Sequence, residues 1–212
     1  MRRLPVYLLL DVSGSMTGEP ITSVENCVSM LVNALRGEPQ ALETAYLSVI
    51  TFDDIAKQVV PLTDLTSFQE PQLKASGATY LGAALDLLAS KLDTEVKKTT
   101  FEEKGDWKPL VFIMTDGQPN DDWKKGADEV KKRKPTVVAC AAGFDANTKI
   151  LKQITENVVQ LGSTSSSDIA AFFKWVTASI SKGSQKVNLS SDKENDGLGE
   201  LPPPPPELNI VT

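Results

Sequence analysis

Asp11-Val12-Ser13-Gly14-Ser15 places one carboxylate and two hydroxyls within five residues, directly after the apolar run Val6-Tyr7-Leu8-Leu9-Leu10. At the tip of a buried strand, with Gly14 letting the backbone fold tightly, such a group offers the oxygen ligands that a hard, magnesium-like cation prefers. Two further segments carry related chemistry. Ser76-Gly77-Ala78-Thr79-Tyr80-Leu81-Gly82 is a glycine-flanked turn opening a helix, with Thr79 near its N-terminus. Thr115-Asp116-Gly117-Gln118-Pro119 closes a second apolar run as Asp11 closes the first. Each segment also has a plain reading: Asp, Ser and Thr are ordinary helix caps, and Asp-Gly is a common turn. Taken together they suggest more. In an open parallel sheet, ligands bind outside the carboxyl ends of strands where the winding reverses, and two such strands would bring Asp11 and Asp116 to one crevice.

The elements needed to position these residues can be read from periodicity. Strands are expected at Pro5 to Leu10, Ala45 to Phe52, Ala56 to Pro61, Leu110 to Thr115, Thr136 to Ala142 and Val158 to Leu161. The first and fourth are almost continuously apolar, as in central parallel strands covered on both faces. Helical periodicity falls between them, near Pro20 to Leu35, Leu81 to Leu92, Asp122 to Lys132, Asn147 to Thr155 and Asp168 to Lys182. The alternation predicts a three-layer, Rossmann-like, doubly wound α/β domain with a mostly parallel six-stranded sheet. Asp53 and Asp54 join two strand runs too closely for a helix and read as a hairpin turn, giving one antiparallel edge strand. Residues 1–183 are read as this domain. Residues 184–212 are read as a disordered, proline-rich tail, because Ser190 to Gly199 is polar and five consecutive prolines follow Leu201. The proline run would be a spacer or a docking peptide for an aromatic-lined groove on a partner.

Composition narrows the functions available. The net charge of −6 opposes nonspecific attraction to nucleic acid or anionic membrane. The leading apolar run stops at Asp11, too short for a signal peptide, and no run nears the roughly 20 residues of a membrane span; the expected compartment is the cytoplasm. Cys27 and Cys140 sit in apolar stretches and read as reduced core residues. The chain has no histidine, which removes Ser-His-Asp and Cys-His catalysis and makes a zinc centre of the usual ligands implausible. A metal here would be held by oxygen. Among the remaining polar features, Asp121 and Asp122 read as caps of the following helix, and the basic residues between Lys124 and Lys134 as a solvated face. Trp107 would pack at the base of the fourth strand, and Trp123 is a candidate exposed contact anchor behind the third motif.

The set Asp11-x-Ser13-x-Ser15, Thr79 after a glycine, and Asp116-Gly117 resembles the metal-ion-dependent adhesion site of von Willebrand factor type A domains. The resemblance extends from about Arg3 to Lys182 in motif and element order, and within the family is strongest to the intracellular bacterial branch associated with tellurium resistance. It implies that Ser13, Ser15 and Thr79 contact a divalent cation, most simply Mg2+ with Mn2+ or Ca2+ as alternatives, while Asp11 and Asp116 act largely through waters. It further implies a noncatalytic protein-interaction module whose open metal position takes an acidic side chain from a protein partner, such as a kinase, phosphatase or other stress-system protein. Two other readings stand beside it. A metal-dependent phosphohydrolase could use Asp11 as nucleophile, but the acid/base expected two residues later is Ser13. A scaffold could keep the fold without using the ion. A nucleotide site is disfavoured, since no glycine-rich phosphate loop follows the first strand.

Overall fold

The computed structural model describes residues 2–189, 201–206 and 208–211. Strands β1 (Leu4–Asp11), β2 (Ala45–Phe52), β3 (Ala56–Asp64), β4 (Leu110–Thr115), β5 (Thr136–Ala141), β6 (Asn157–Gln160) and β7 (Asn209–Ile210) form one sheet in the order β3-β2-β1-β4-β5-β6-β7. Helices α1 (Glu19–Arg36), α2 (Pro39–Thr44), α3 (Leu81–Glu95), α4 (Lys124–Lys132), α5 (Thr148–Ile154) and α6 (Ser166–Leu189) cover it. The five inner strands are parallel, and β3 and β7 run antiparallel at the two edges.

Side-chain alternation explains why β1 and β4 are apolar throughout. Leu4, Val6, Leu8 and Leu10 of β1, with Leu110, Phe112 and Met114 of β4, share one core with Val28 and Leu31 of α1 and Phe172 and Val176 of α6. The intervening Tyr7, Leu9, Val111 and Ile113 enter a second core with Leu85 and Leu88 of α3, Val130 of α4 and Leu151 of α5. Successive strand residues point to opposite faces, so a strand buried on both sides has no polar position to spare. From β1 the chain winds outward to β2 and β3, then crosses to β4 and proceeds the other way. The winding therefore reverses between β1 and β4, the strands that end in Asp11 and Thr115.

The three-layer arrangement is as expected, with differences at its margins. Among the described residues there are seven strands instead of six, and both sheet edges are antiparallel instead of one. Two-residue β7 has no periodicity of its own and exists because β6 offers an open edge. The six-residue α2 begins with Pro39, whose fixed φ suits a first helical turn, but it is too short to show an amphipathic pattern. The chain also stays with the domain beyond residue 183: α6 runs to Leu189, and Ser184 is fully buried. Ser190 to Gly199, expected to be disordered, lies outside the described residues. Residues 201–206, expected as part of a disordered, proline-rich tail, lie against this chain's own α6, where the Trp175 indole donates to the Pro202 carbonyl. Cys27 and Cys140 are buried free thiols. Trp107 is buried at the base of the sheet, beneath the Arg2 guanidinium at 4.0 Å.

Phe112 is 2% exposed at the centre of the first core. Truncating such a side chain removes its transfer energy and leaves a cavity. Phe112→Ala should lower the unfolding free energy by about 3–5 kcal/mol, as measured by urea denaturation.

Candidate metal centre

Three loops meet above the carboxyl ends of β1 and β4. The first leaves β1 extended at Ser13 and tightens into a 3-10 turn, Gly14–Met16, anchored by fully buried Met16. The second, residues 76–80, is tied to it by two backbone bonds: Gly14 N–H to Gly77 O at 2.9 Å, and Ser76 N–H to Val12 O at 2.8 Å. Any Cβ on residue 14 would lie 3.3 Å from the Gly77 oxygen, so glycine permits this approach. Gly77 itself has φ of +73°, a conformation that side chains disfavour. The third loop, residues 116–123, is clamped to the second in both directions. Asn120 N–H donates to Thr79 O at 2.9 Å, and Thr79 N–H donates to Asn120 Oδ1 at 2.8 Å.

These ties bring the five predicted residues together. Asp11 Oδ1 accepts the Ser13 N–H at 2.8 Å, and Asp11 Oδ2 accepts the Thr115 hydroxyl at 2.5 Å. Ser13 Oγ and Ser15 Oγ are 3.1 Å apart, and Ser15 Oγ donates to Asp116 Oδ1 at 2.7 Å. A continuous chain of side-chain oxygens thus joins the first loop to the third. Thr79 does not use its hydroxyl to cap α3. Its Oγ1 lies against Gly117, 3.3 Å from where a side chain would begin. Asp11, Ser13, Thr79 and Asp116 are buried, while Ser15 is exposed at the mouth.

Burial has an electrostatic cost. It raises the Asp11 carboxyl above its ordinary range; bonds from Ser13 and Thr115 oppose the rise, and the negative charge of Asp116 adds to it. Burial likewise raises Asp116, against the Ser15 bond and with help from the nearby Asp145 charge. Among the described residues no ion pair reaches either carboxylate. The site is therefore a cluster of oxygen atoms with two buried acids and, among the described residues, no paired positive charge. Among the described residues no three acidic or thiol side chains converge in a metal-like group, here or elsewhere, so a cation at this site would depend on hydroxyls as much as on charge.

Several supporting residues escaped the sequence reading. Thr115 was visible as the residue before Asp116, but its bond to Asp11 depends on the register that pairs Leu10 with Met114 and so brings the next residues side by side. Asn120 gave no signal beyond being polar in a loop. Asp121 does cap a helix, though not the one that follows it: its carboxylate accepts the Gly82 and Ala83 N–H groups at 2.9 and 2.8 Å, at the start of α3. Asp122 serves the following helix through the Lys124 N–H. Asp53 is the expected turn residue, accepting the Ile55 N–H. Asp54 goes further and holds the second loop through the Ala78 N–H at 2.8 Å. Trp123 is half-buried against the α3 side of the core, which removes it as an exposed anchor.

The chain belongs to the von Willebrand factor type A domain family, whose model matches residues 6–174. It is 29% identical over 164 residues to an uncharacterized protein of Synechocystis, a match covering 72% of this chain and 36% of that protein. The chain thus spans about a third of that relative's length. Among solved structures it is similar to proximal thread matrix protein 1 of the mussel byssus with a zinc-occupied metal-ion-dependent adhesion motif, at TM-score 0.62, 20% identity and 84% and 48% coverage of the two chains. It is also similar to the pilus adhesin SpaC of Lactobacillus rhamnosus, at TM-score 0.69, 14% identity and 86% and 31% coverage. A von Willebrand factor type A protein of Catenulispora acidiphila matches at TM-score 0.64, 18% identity and 85% and 43% coverage. At these identities the structural matches speak to fold.

Because burial raises the folded-state pKa of Asp11, ionising it costs stability. The contribution of its neutral form is full below the ordinary carboxylate range and is lost as pH rises through the raised value. Asp11→Asn keeps an acceptor for the Ser13 N–H and removes the charge. In chelator at neutral pH its urea midpoint should lie above that of wild type; a lower midpoint would show that the protein alone satisfies the charge.

Proposed function

We propose that the protein is a noncatalytic, metal-dependent recognition module in which a divalent cation, most simply Mg2+, bridges the domain to an acidic side chain on a protein partner. The observation that carries this reading is the oxygen chain Ser13–Ser15–Asp116, closed on one side by buried Asp11 and on the other by Thr79. In this proposal Ser13, Ser15 and Thr79 contact the ion, and Asp11 and Asp116 hold its waters. Neutral hydroxyls donate less charge than carboxylates, so the bound ion keeps attraction for an outside anion. Mg2+ retains waters and favours octahedral geometry, which suits a shell that a partner completes.

Support for recognition over hydrolysis comes from what surrounds Asp11. A phosphoryl-transfer nucleophile would need a neighbouring acid/base, whereas the residue two positions on is Ser13, and both Asp11 oxygens are engaged by Ser13 N–H and Thr115. The acid is held in place, as suits a group that organises an ion. The setting we propose is a cytoplasmic stress-response system of the tellurium-resistance kind, the family branch that the sequence resembles. Among the described residues no helix is long and apolar enough to cross a membrane.

Calorimetric titration with Mg2+ and Mn2+ tests the ion. Wild type should bind one equivalent, and Asp116→Ala should bind at least tenfold more weakly, about 1.4 kcal/mol, with its circular dichroism unchanged. Equal ion binding by the two proteins would overturn the proposal.

A further inference from the structure

The proline-rich end of the chain occupies a groove on its own domain. Trp175, 6% exposed on α6, donates its indole N–H to the Pro202 carbonyl oxygen at 2.8 Å. A proline run has no N–H to offer, so donors recognise it through its carbonyl oxygens. A buried tryptophan in turn needs such an acceptor. Exposure along the run repeats every three residues: Pro203 and Pro206 are exposed, whereas Leu201, Pro202, Pro204 and Pro205 are half-buried. Three residues per turn is the period of the polyproline II helix. One ridge therefore faces water and two face the protein.

Beyond the run, the Leu208 N–H donates to the Pro205 carbonyl at 2.9 Å, and the Leu208 side chain is 4% exposed. Asn209 and Ile210 pair with Gln160 and Val159 on the β6 edge, and the Val211 N–H donates to Val158 O at 3.0 Å. The seat thus combines two ways in which proteins take extended peptides: a polyproline segment on an aromatic surface, and strand addition to a sheet edge. It is not packed like a core. A hollow of about 340 Å³ remains between the run and β5 and β6, lined by Thr136, Glu156, Asn157 and Trp175 among others. A larger one of about 1190 Å³ opens on the side of α1 and α6. Open grooves thus border the run on both sides.

We propose that Trp175 and the β6 edge form a binding site for proline-rich extended peptides, with residues 201–211 as the resident occupant in cis. A tethered occupant acts at an effective concentration on the order of millimolar. The intact chain therefore keeps the site closed, and the site opens to a peptide of the same chemistry when the resident segment leaves. The test uses the full chain and a fluorescein-labelled synthetic peptide with the sequence of residues 201–211, followed by anisotropy. Leu208→Asp, which charges the buried anchor of the segment, should bind the peptide at least tenfold more tightly than wild type. Adding Trp175→Phe, which keeps a ring but removes the N–H, should weaken that binding about fivefold, the size of one net hydrogen bond. A peptide with its prolines changed to alanine should bind at least tenfold more weakly. Hydrogen exchange should show protection lost at Val211 and kept at Val111 and Ile113 in β4. The proposal is overturned if Leu208→Asp and wild type bind the peptide equally or if the alanine peptide binds as well. It is also overturned if Leu208→Asp loses protection in β4, since the segment would then be part of the folding core.

Discussion

Two carboxylates held out of water, with no Lys or Arg paired to either among the described residues, set the terms for the rest of this molecule. Asp11 and Asp116 close the two central strands at the point where the winding reverses, and burial pushes both toward their neutral forms. Such an arrangement costs stability and persists only where the surrounding structure imposes it. Here the surroundings are extensive: backbone ties between the first two loops, the two-way clamp of Asn120 on Thr79, and the Thr115 hydroxyl on Asp11. Each fixes the position of an oxygen atom, and together they keep the pocket from collapsing around its own charge.

The central strands support this by rigidity. With both faces of β1 and β4 buried in separate cores, neither strand can shift by one residue without turning an apolar row toward the wrong layer. That register places Asp11 beside Thr115. The hairpin at the other end of the first half-sheet contributes as well, since Asp54 reaches the second loop and Asp53 O accepts the Tyr80 N–H. An edge element that looks peripheral in the strand order is thus one wall of the site.

The parts legible in the sequence were those governed by local pattern. Continuous apolar runs marked β1 and β4, helical spacing marked α1 and α3, and the close joining of β2 and β3 marked the hairpin. The three site segments could be recognised because their chemistry is concentrated in a few adjacent residues. What remained hidden depended on contacts distant in sequence. Asn120 and Asp121 work on Thr79 and the start of α3, about forty positions away. β7 is defined by the strand it joins. The half-burial of Trp123 is set by how α4 lies on α3, where Gly126 allows close contact with Leu85.

Both margins of the sheet end in antiparallel strands. β3 carries Lys57 and Pro61 with two irregularities in its pairing, and β7 is only two residues long. Short, charged or irregular margins resist the addition of further strands. A domain finished in this way can be crowded beside copies of itself, or strung among neighbours in a longer polypeptide, without zippering into fibres.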